Sequence, residues 1–251
     1  MLQSPITVTA SILVIGDEIL SGRTKDKNIG YIAEYLTGMG IEVREVRVVP
    51  DIQDEIVAAV NALRHRFDYV FTTGGIGPTH DDITADSVAK AFGVEISEDP
   101  RAIELLLQRI KPDDLNEARR RMARIPHGAD LIQNAVSKAP GFIIGNVMVM
   151  AGVPAVMHAM MDDLAPRLKT GTPLTVETLD AMGLPEGAYA APLADVAKAH
   201  PDVSIGSYPS FRDGTFHNQI VVRGKVPAQV EDVKQKIAAC LARLRGPSNS
   251  A

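Results

Sequence analysis

Three apolar segments open this chain, each followed by a stretch with helical periodicity, and that order narrows the folds open to it. Residues 8–15 (VTASILVI) read as a short buried strand that ends at Gly16. A polar loop, DEILSGRTKDK, follows. Residues 28–39 place Ile29, Ile32, Ala33, Leu36 and Met39 at helical spacing, with Gly40 suited to close the helix. Residues 41–49 alternate apolar and polar, as in a strand with one buried face. Residues 51–66 predict a helix with Ile56, Val57, Val60 and Leu63 on one side. Residues 68–73 form a third strand, running into Gly74-Gly75-Ile76-Gly77-Pro78, and 84–92 begin another helix. Repeated strand–helix units predict an α/β fold: a mainly parallel sheet sandwiched by helices. In such sheets ligands bind beyond the carboxyl ends of the strands. Both glycine-containing loops fall at that edge.

Further along, residues 99–123 read as helical with a break at Lys111-Pro112. Strands are expected at 131–133 and 142–150, the latter split at Gly145-Asn146, and a helix at 154–168 with Pro154 in its first turn. Composition shifts at Lys169–Pro173. The chain of 251 residues therefore divides into an α/β domain, 1–170, and a small C-terminal α+β domain, 171–251. The second domain reads strand 174–180, helix near 190–199, strands 203–208 and 216–223, and helix 228–244. Residues 209–215 make a hairpin loop, and the tail 246–251 is expected to fray. The net charge of -5 argues against a nucleic-acid partner. The single Cys240 excludes an intrachain disulfide framework. No apolar run reaches membrane length and no leader pattern is visible, so the expected address is cytoplasmic, without a membrane partner. Aromatics are only 4%, with no Trp, which leaves few rings for stacking.

The richest chemistry lies in Thr72–Thr84, TTGGIGPTHDDIT. Glycines after a buried strand let backbone amides approach an anion such as phosphate. Asp81 and Asp82 would repel that anion unless a divalent cation lay between them, and carboxylates suit magnesium or manganese. Read alone, Asp and Thr before a helix are also ordinary caps. The loop Gly16, Asp17, Glu18, Ser21, Gly22, Arg23, Asp26, Asn28 superficially resembles a P-loop. It has five residues between its glycines rather than four, and Arg23 stands where Lys is required. Asp51, after the second strand, is either a helix cap or a third group at the same edge. Gly152, Val153 and Pro154 either offer amides to a ligand or only turn the chain. Of six histidines only His80 has a rich context. Arg119, Arg120, Arg121 and Arg124 read first as a solvated helix face and second as a group folding over the phosphate.

Together these segments resemble the molybdopterin-binding fold family, in its CinA N-terminal-domain branch. TTGGIGPTHDDIT is similar to the family's TGG-x-GP signature, and GDEILSGRTKDKN to the branch's first loop. AGVPAVMHAMM resembles its PGVP segment, with Ala151 where Pro is common. RMARIPHGADLIQN and APGF resemble the sequence between these motifs, so the likeness spans about residues 10–170. Gly206-Ser207-Tyr208-Pro209 resembles a segment of the branch's appended domain, and of the hydrolase-like half of eukaryotic FAD synthases.

The resemblance implies binding of a phosphate-bearing nucleotide or pterin. It further implies hydrolysis of a diphosphate of the ADP-ribose or FAD class with a divalent metal (Mg, Mn or Co). Asp82 and Asp51 would be the catalytic carboxylates, and Asp82 with Asp81 would hold the metal. Thr73, Gly74, Gly75, Gly77, Pro78, Thr79 and Thr84 would contact ligand, with the first-loop and Gly152–Pro154 residues already named. The alternative is a protein that binds molybdopterin or adenylylates it in molybdenum cofactor biosynthesis. A homo-oligomer is expected, and an amidase activity is not. A KH-like nucleic-acid module in the second domain is disfavoured. Residues 172–245 balance eight positive against eight negative side chains and contain no G-x-x-G loop.

Overall fold

The computed structural model describes residues 4–245, so the tail expected to fray lies outside the described residues. These residues divide into two units, 7–171 and 172–245, with residues 4–6 joined to the second. That joining is made by a short pairing: Ile6 N–H donates to Thr172 Oγ1 at 2.9 Å, and Thr172 N–H to Ile6 O at 2.9 Å.

The first unit runs β1 (Val8–Ile15), α1 (Asp17–Leu20), α2 (Asn28–Gly38), β2 (Ile41–Val49), α3 (Gln53–Arg64), β3 (Tyr69–Thr73) and α4 (Thr84–Phe92). It continues with β4 (Ile96–Glu98), α5 (Pro100–Leu107), α6 (Glu117–Arg121), β5 (Arg124–Pro126), β6 (Asp130–Ile132), β7 (Gly141–Ile144), β8 (Val147–Met150) and α7 (Pro154–Leu164). The sheet order is β2-β1-β3-β8-β7-β6. The first four strands pair in parallel, and β7 and β6 extend the edge antiparallel. The expected mainly parallel sheet between helices is thus observed.

Period-two alternation explains the layers. On β1, Leu13 and Ile15 face α3 and α4, packing with Ile56, Val60 and Val88. Ile12 and Val14 point the other way, onto Ile32, Leu36, Met157 and Met161 of α2 and α7. β8 repeats this, with Val147 and Val149 on the first side and Met148 and Met150 on the second. Strands buried on both faces need the near-continuous apolar runs that mark them in the sequence.

Three local expectations are corrected. The first polar loop begins with the short helix α1. The helical stretch read across 99–123 is two helices separated by a 3-10 turn at Pro112–Asp114. It is also flanked by β4 and β5, which pair antiparallel. Strands of three residues carry no readable periodicity, so the pattern of the neighbouring helices dominates the sequence.

The second unit comprises β9 (Thr175–Asp180), α8 (Glu186–Ala199), β10 (Ser204–Tyr208), β11 (Phe211–Arg212), β12 (Thr215–Phe216), β13 (Gln219–Gly224) and α9 (Pro227–Arg245). Its three-stranded antiparallel sheet has the order β10-β13-β9. Tyr189, Ile220, Val222, Val233 and Ile237 form its core against α8 and α9. The hairpin in the 209–215 loop turns at Asp213 and Gly214, both at positive φ (50° and 75°), the combination a two-residue turn needs. Asn218 is fully buried; its amide donates to Leu184 O at 3.0 Å and its oxygen accepts from Ser210 N–H at 3.0 Å. Asn218→Ala leaves both backbone groups unpaired. It is expected to cost about 2–3 kcal/mol in urea unfolding, against almost nothing for a surface change such as Lys198→Ala.

Candidate functional site

The carboxyl ends of β1, β2, β3 and β8 bring together the four segments singled out above. Backbone contact at this edge is close. Gly74 sits at φ +108°, and a Cβ there would lie 2.0 Å from the carbonyl oxygen of Ile15. A Cβ on Gly75 would lie 2.2 Å from Thr84 Oγ1, and one on Gly77 2.6 Å from Asp82 Oδ2. Thr84 locks the loop, donating its hydroxyl to Gly74 O at 3.0 Å and its amide to Gly75 O at 3.0 Å. Gly74 N–H is taken by Met150 O at 3.2 Å. The amides of Gly75, Ile76 and Gly77, like those of Gly152 and Val153, have no partner among the described residues and can donate to a ligand.

Two hollows flank this loop. One is a cavity of about 220 Å³, whose lining includes Ile15, Glu18, Asn28, Thr73, Gly152 and Pro154. Asn28 is 5% exposed. Its amide nitrogen donates to Thr73 Oγ1 and to Gly152 O, both at 2.8 Å, while its oxygen is buried without a partner. Asp26 also lines this cavity, but its Oδ1 caps α2 by accepting from Asn28 N–H at 3.1 Å and Ile29 N–H at 2.8 Å. The other hollow is a small recess against Gly75, Gly77 and Asp82. Asp17, Ser21, Gly22, Arg23, Pro78, Thr79 and Val153 are exposed and line neither hollow.

The carboxylates are placed unequally. Asp82 turns one oxygen, Oδ2, onto its own loop, accepting from Thr79 N–H at 2.8 Å and Thr79 Oγ1–H at 2.5 Å. Its Oδ1 accepts no hydrogen bond among the described residues. Asp82 therefore shapes the 79–82 turn and does not cap α4, which has no side-chain cap. Asp51 does not cap α3 either; its Oδ2 accepts Asp17 N–H at 3.0 Å, tying the second loop to the first. Burial pushes the Asp51 carboxyl above the ordinary carboxylate range. The charges of Asp17, Glu18 and Asp81 add to this, against the Asp17 hydrogen bond. Asp81 is exposed. No group of three His, Cys, Asp or Glu side chains among the described residues stands ready to hold an ion. The donor chemistry nevertheless fits a magnesium-type ion, which binds through one or two carboxylates and completes its shell with substrate phosphate and water.

Of the arginine cluster, Arg120 is exposed, as expected of a solvated face, while Arg119 is half-buried and donates to Asp114 O. Arg121 and Arg124 instead line the recess beside Gly75 and Gly77. Their one sequence signal was the basic cluster itself.

No described helix is long and apolar enough to cross a membrane. Comparison with known proteins agrees with the geometry. Residues 11–170 match the family described as a probable molybdopterin binding domain, and residues 174–244 match the middle domain of FAD synthase. A protein of Archaeoglobus fulgidus is 36% identical over 198 residues, covering 79% of this chain and 84% of its own length. One of Pyrobaculum arsenaticum is 32% identical over 248 residues, 94% of each chain. The crystal structure of the protein CinA with unknown function from Thermoplasma acidophilum is 35% identical. It superimposes with a TM-score of 0.61, covering 64% of this chain and 98% of that one. With the glycine loop, the Asp51 edge and the appended α+β unit all in place, this chain belongs to the molybdopterin-binding-domain family, on its CinA-like branch.

Proposed function

We propose that this protein binds a phosphate-bearing nucleotide at the carboxyl edge of its sheet and hydrolyses a nucleotide diphosphate of the ADP-ribose or FAD class. The observation that carries the reading is the loop at Gly75–Gly77. Three unbound amides lie in the loop beside a half-buried carboxylate, Asp51, whose surroundings already disfavour its charge. Amides suit phosphate oxygens. A crowded carboxylate suits a cation brought in with the phosphates. A divalent ion, when bound, would neutralise diphosphate charge; Asp51, Asp81 and the free Oδ1 of Asp82 are the oxygen donors for it. The chain's own part is positional. The amides of Gly75–Gly77 orient the phosphates, and the 220 Å³ cavity at Asn28 admits the group attached to them. Water adds across the phosphoanhydride bond, and ADP-ribose would yield AMP and ribose 5-phosphate.

The test is a panel of ADP-ribose, FAD and related diphosphates with Mg²⁺, Mn²⁺ or Co²⁺, comparing wild type with Asp82→Ala. Wild type is expected to turn over at least one of them. Asp82→Ala releases the 79–82 turn and removes an oxygen donor, so its rate should fall at least about tenfold. No turnover by folded wild type would sink the hydrolase reading. Adenylylation of molybdopterin with ATP in the same assay would replace it with a transferase.

A further inference from the structure

The arginine cluster at 119–124 has no part in the function proposed above, and its members have different surroundings. Arg119 Nη1 donates to the carbonyl of Asp114 at 2.6 Å. Arg120 pairs with Glu98 at 2.6 Å. Arg124 grips Asp86 with both Nη atoms, at 2.7 and 2.6 Å. Arg121 has no carboxylate partner among the described residues. Its Nη2 donates to the backbone carbonyl of Asp82 at 3.2 Å, and its Nε is buried with no partner. This half-buried cation lines the recess with Gly75, Gly77 and Asp82.

We propose that Arg121 binds a phosphate of the ligand from the recess beside the glycine loop, completing that loop's anion site. A guanidinium drawn partly out of water without an ion pair of its own is unfavourable, and Asp86 is already taken by Arg124, so the position is one that an anion completes. Guanidinium geometry suits phosphate, which it can meet with two parallel N–H donors. The recess holds about 20 Å³, little more than one water, so the phosphate lies at its mouth, beside the unbound amides of Gly75–Gly77. Arg124 cannot serve in the same way, because Asp86 occupies its fork. The bond from Arg121 to Asp82 O fixes the side chain against the loop that carries the amides. The inference rests on the phosphate-ligand reading above and adds the residue that reads the charge.

The experiment is calorimetric titration of ADP-ribose, as its non-hydrolysable α,β-methylene analogue and at constant Mg²⁺, into wild type, Arg121→Gln, Arg121→Lys and Arg120→Gln. Arg121→Gln should bind about 10- to 100-fold more weakly. Arg121→Lys should recover part of that loss, and Arg120→Gln, with the same change of charge, should match wild type. Added salt should weaken wild-type binding more than that of Arg121→Gln. Inorganic pyrophosphate should compete with ADP-ribose on wild type. Affinity and salt response in Arg121→Gln equal to wild type would overturn the assignment. So would a variant that is merely less stable but binds normally below its melting temperature. If Arg121→Gln does not fold, Arg121→Lys decides: it keeps the charge but not the fork, and unchanged affinity again overturns the proposal. Wild type that binds neither ADP-ribose nor pyrophosphate would instead overturn the phosphate-ligand reading.

Discussion

Gly74→Ala should destabilise the protein by about 3–5 kcal/mol, far more than a surface glycine in a comparable conformation. Two costs combine. The residue sits at φ +108°, where a side chain is strained. In addition, the new Cβ would lie 2.0 Å from Ile15 O, a backbone atom of β1 that cannot rotate away. Relief by moving the loop is blocked on three sides. Gly74 N–H is bound to Met150 O, Gly74 O accepts from Thr84, and Gly152 packs so that its own Cβ would lie 3.3 Å from Gly74 Cα. Gly93→Ala supplies the comparison, because Gly93 closes α4 at φ +67° with nothing within 4 Å of the added methyl. It carries only the left-handed penalty, about 1–2 kcal/mol. Urea midpoints for the two variants measure the difference. Equal losses would mean that the close approach of β1 and the glycine loop does not constrain position 74.

That contrast bears on what the sequence could reveal. Gly74 was legible as a loop glycine after a buried strand, because β3 is a local pattern of consecutive apolar residues. The contact that makes it obligatory was not, because Ile15 lies 59 positions away and approaches through the parallel pairing of β1 with β3. The aspartates teach the same lesson. Asp51 before α3 and Asp82 before α4 both look like caps in one dimension. Which amide a carboxylate meets is set by tertiary placement: Asp51 meets Asp17 N–H, and Asp82 meets Thr79. Asp26 went the opposite way, a candidate ligand group that caps α2. Arg121 was the least legible. It reaches the glycine loop from α6, next to the three-residue strand β5, which leaves no periodic signature of its own. The pairing of Ile6 with Thr172 likewise has no signal in either segment.

Asp51→Asn should move stability and turnover in opposite directions. Burial, then the charges of Asp17, Glu18 and Asp81, hold the native Asp51 carboxyl above its ordinary range. A carboxyl whose pKa is raised on folding favours the folded state while it is protonated. That contribution is complete below the unfolded pKa and is lost as pH rises through the raised folded pKa. At neutral pH the ionised Asp51 therefore works against folding. Asparagine removes the charge and keeps an oxygen to accept Asp17 N–H. The variant should thus melt higher than wild type at neutral pH, and the gain should shrink as the pH is lowered through the carboxylate range. Magnesium supplies a second contrast. It should raise the melting temperature of wild type, where a cation relieves the crowding of carboxylates, and raise that of Asp51→Asn much less. Turnover of the diphosphate substrate should fall about a hundredfold or more, since the lost oxygen donor contributes several kcal/mol of charge stabilisation in the transition state. Melting curves across pH, with and without magnesium, and initial rates on one substrate complete the measurement. A variant less stable than wild type at neutral pH would refute the account of Asp51's surroundings. A variant that is more stable but equally active would keep that account and remove Asp51 from the chemistry. Loss of activity with gain of stability is the signature of a carboxylate held charged for its ligand and not for the fold.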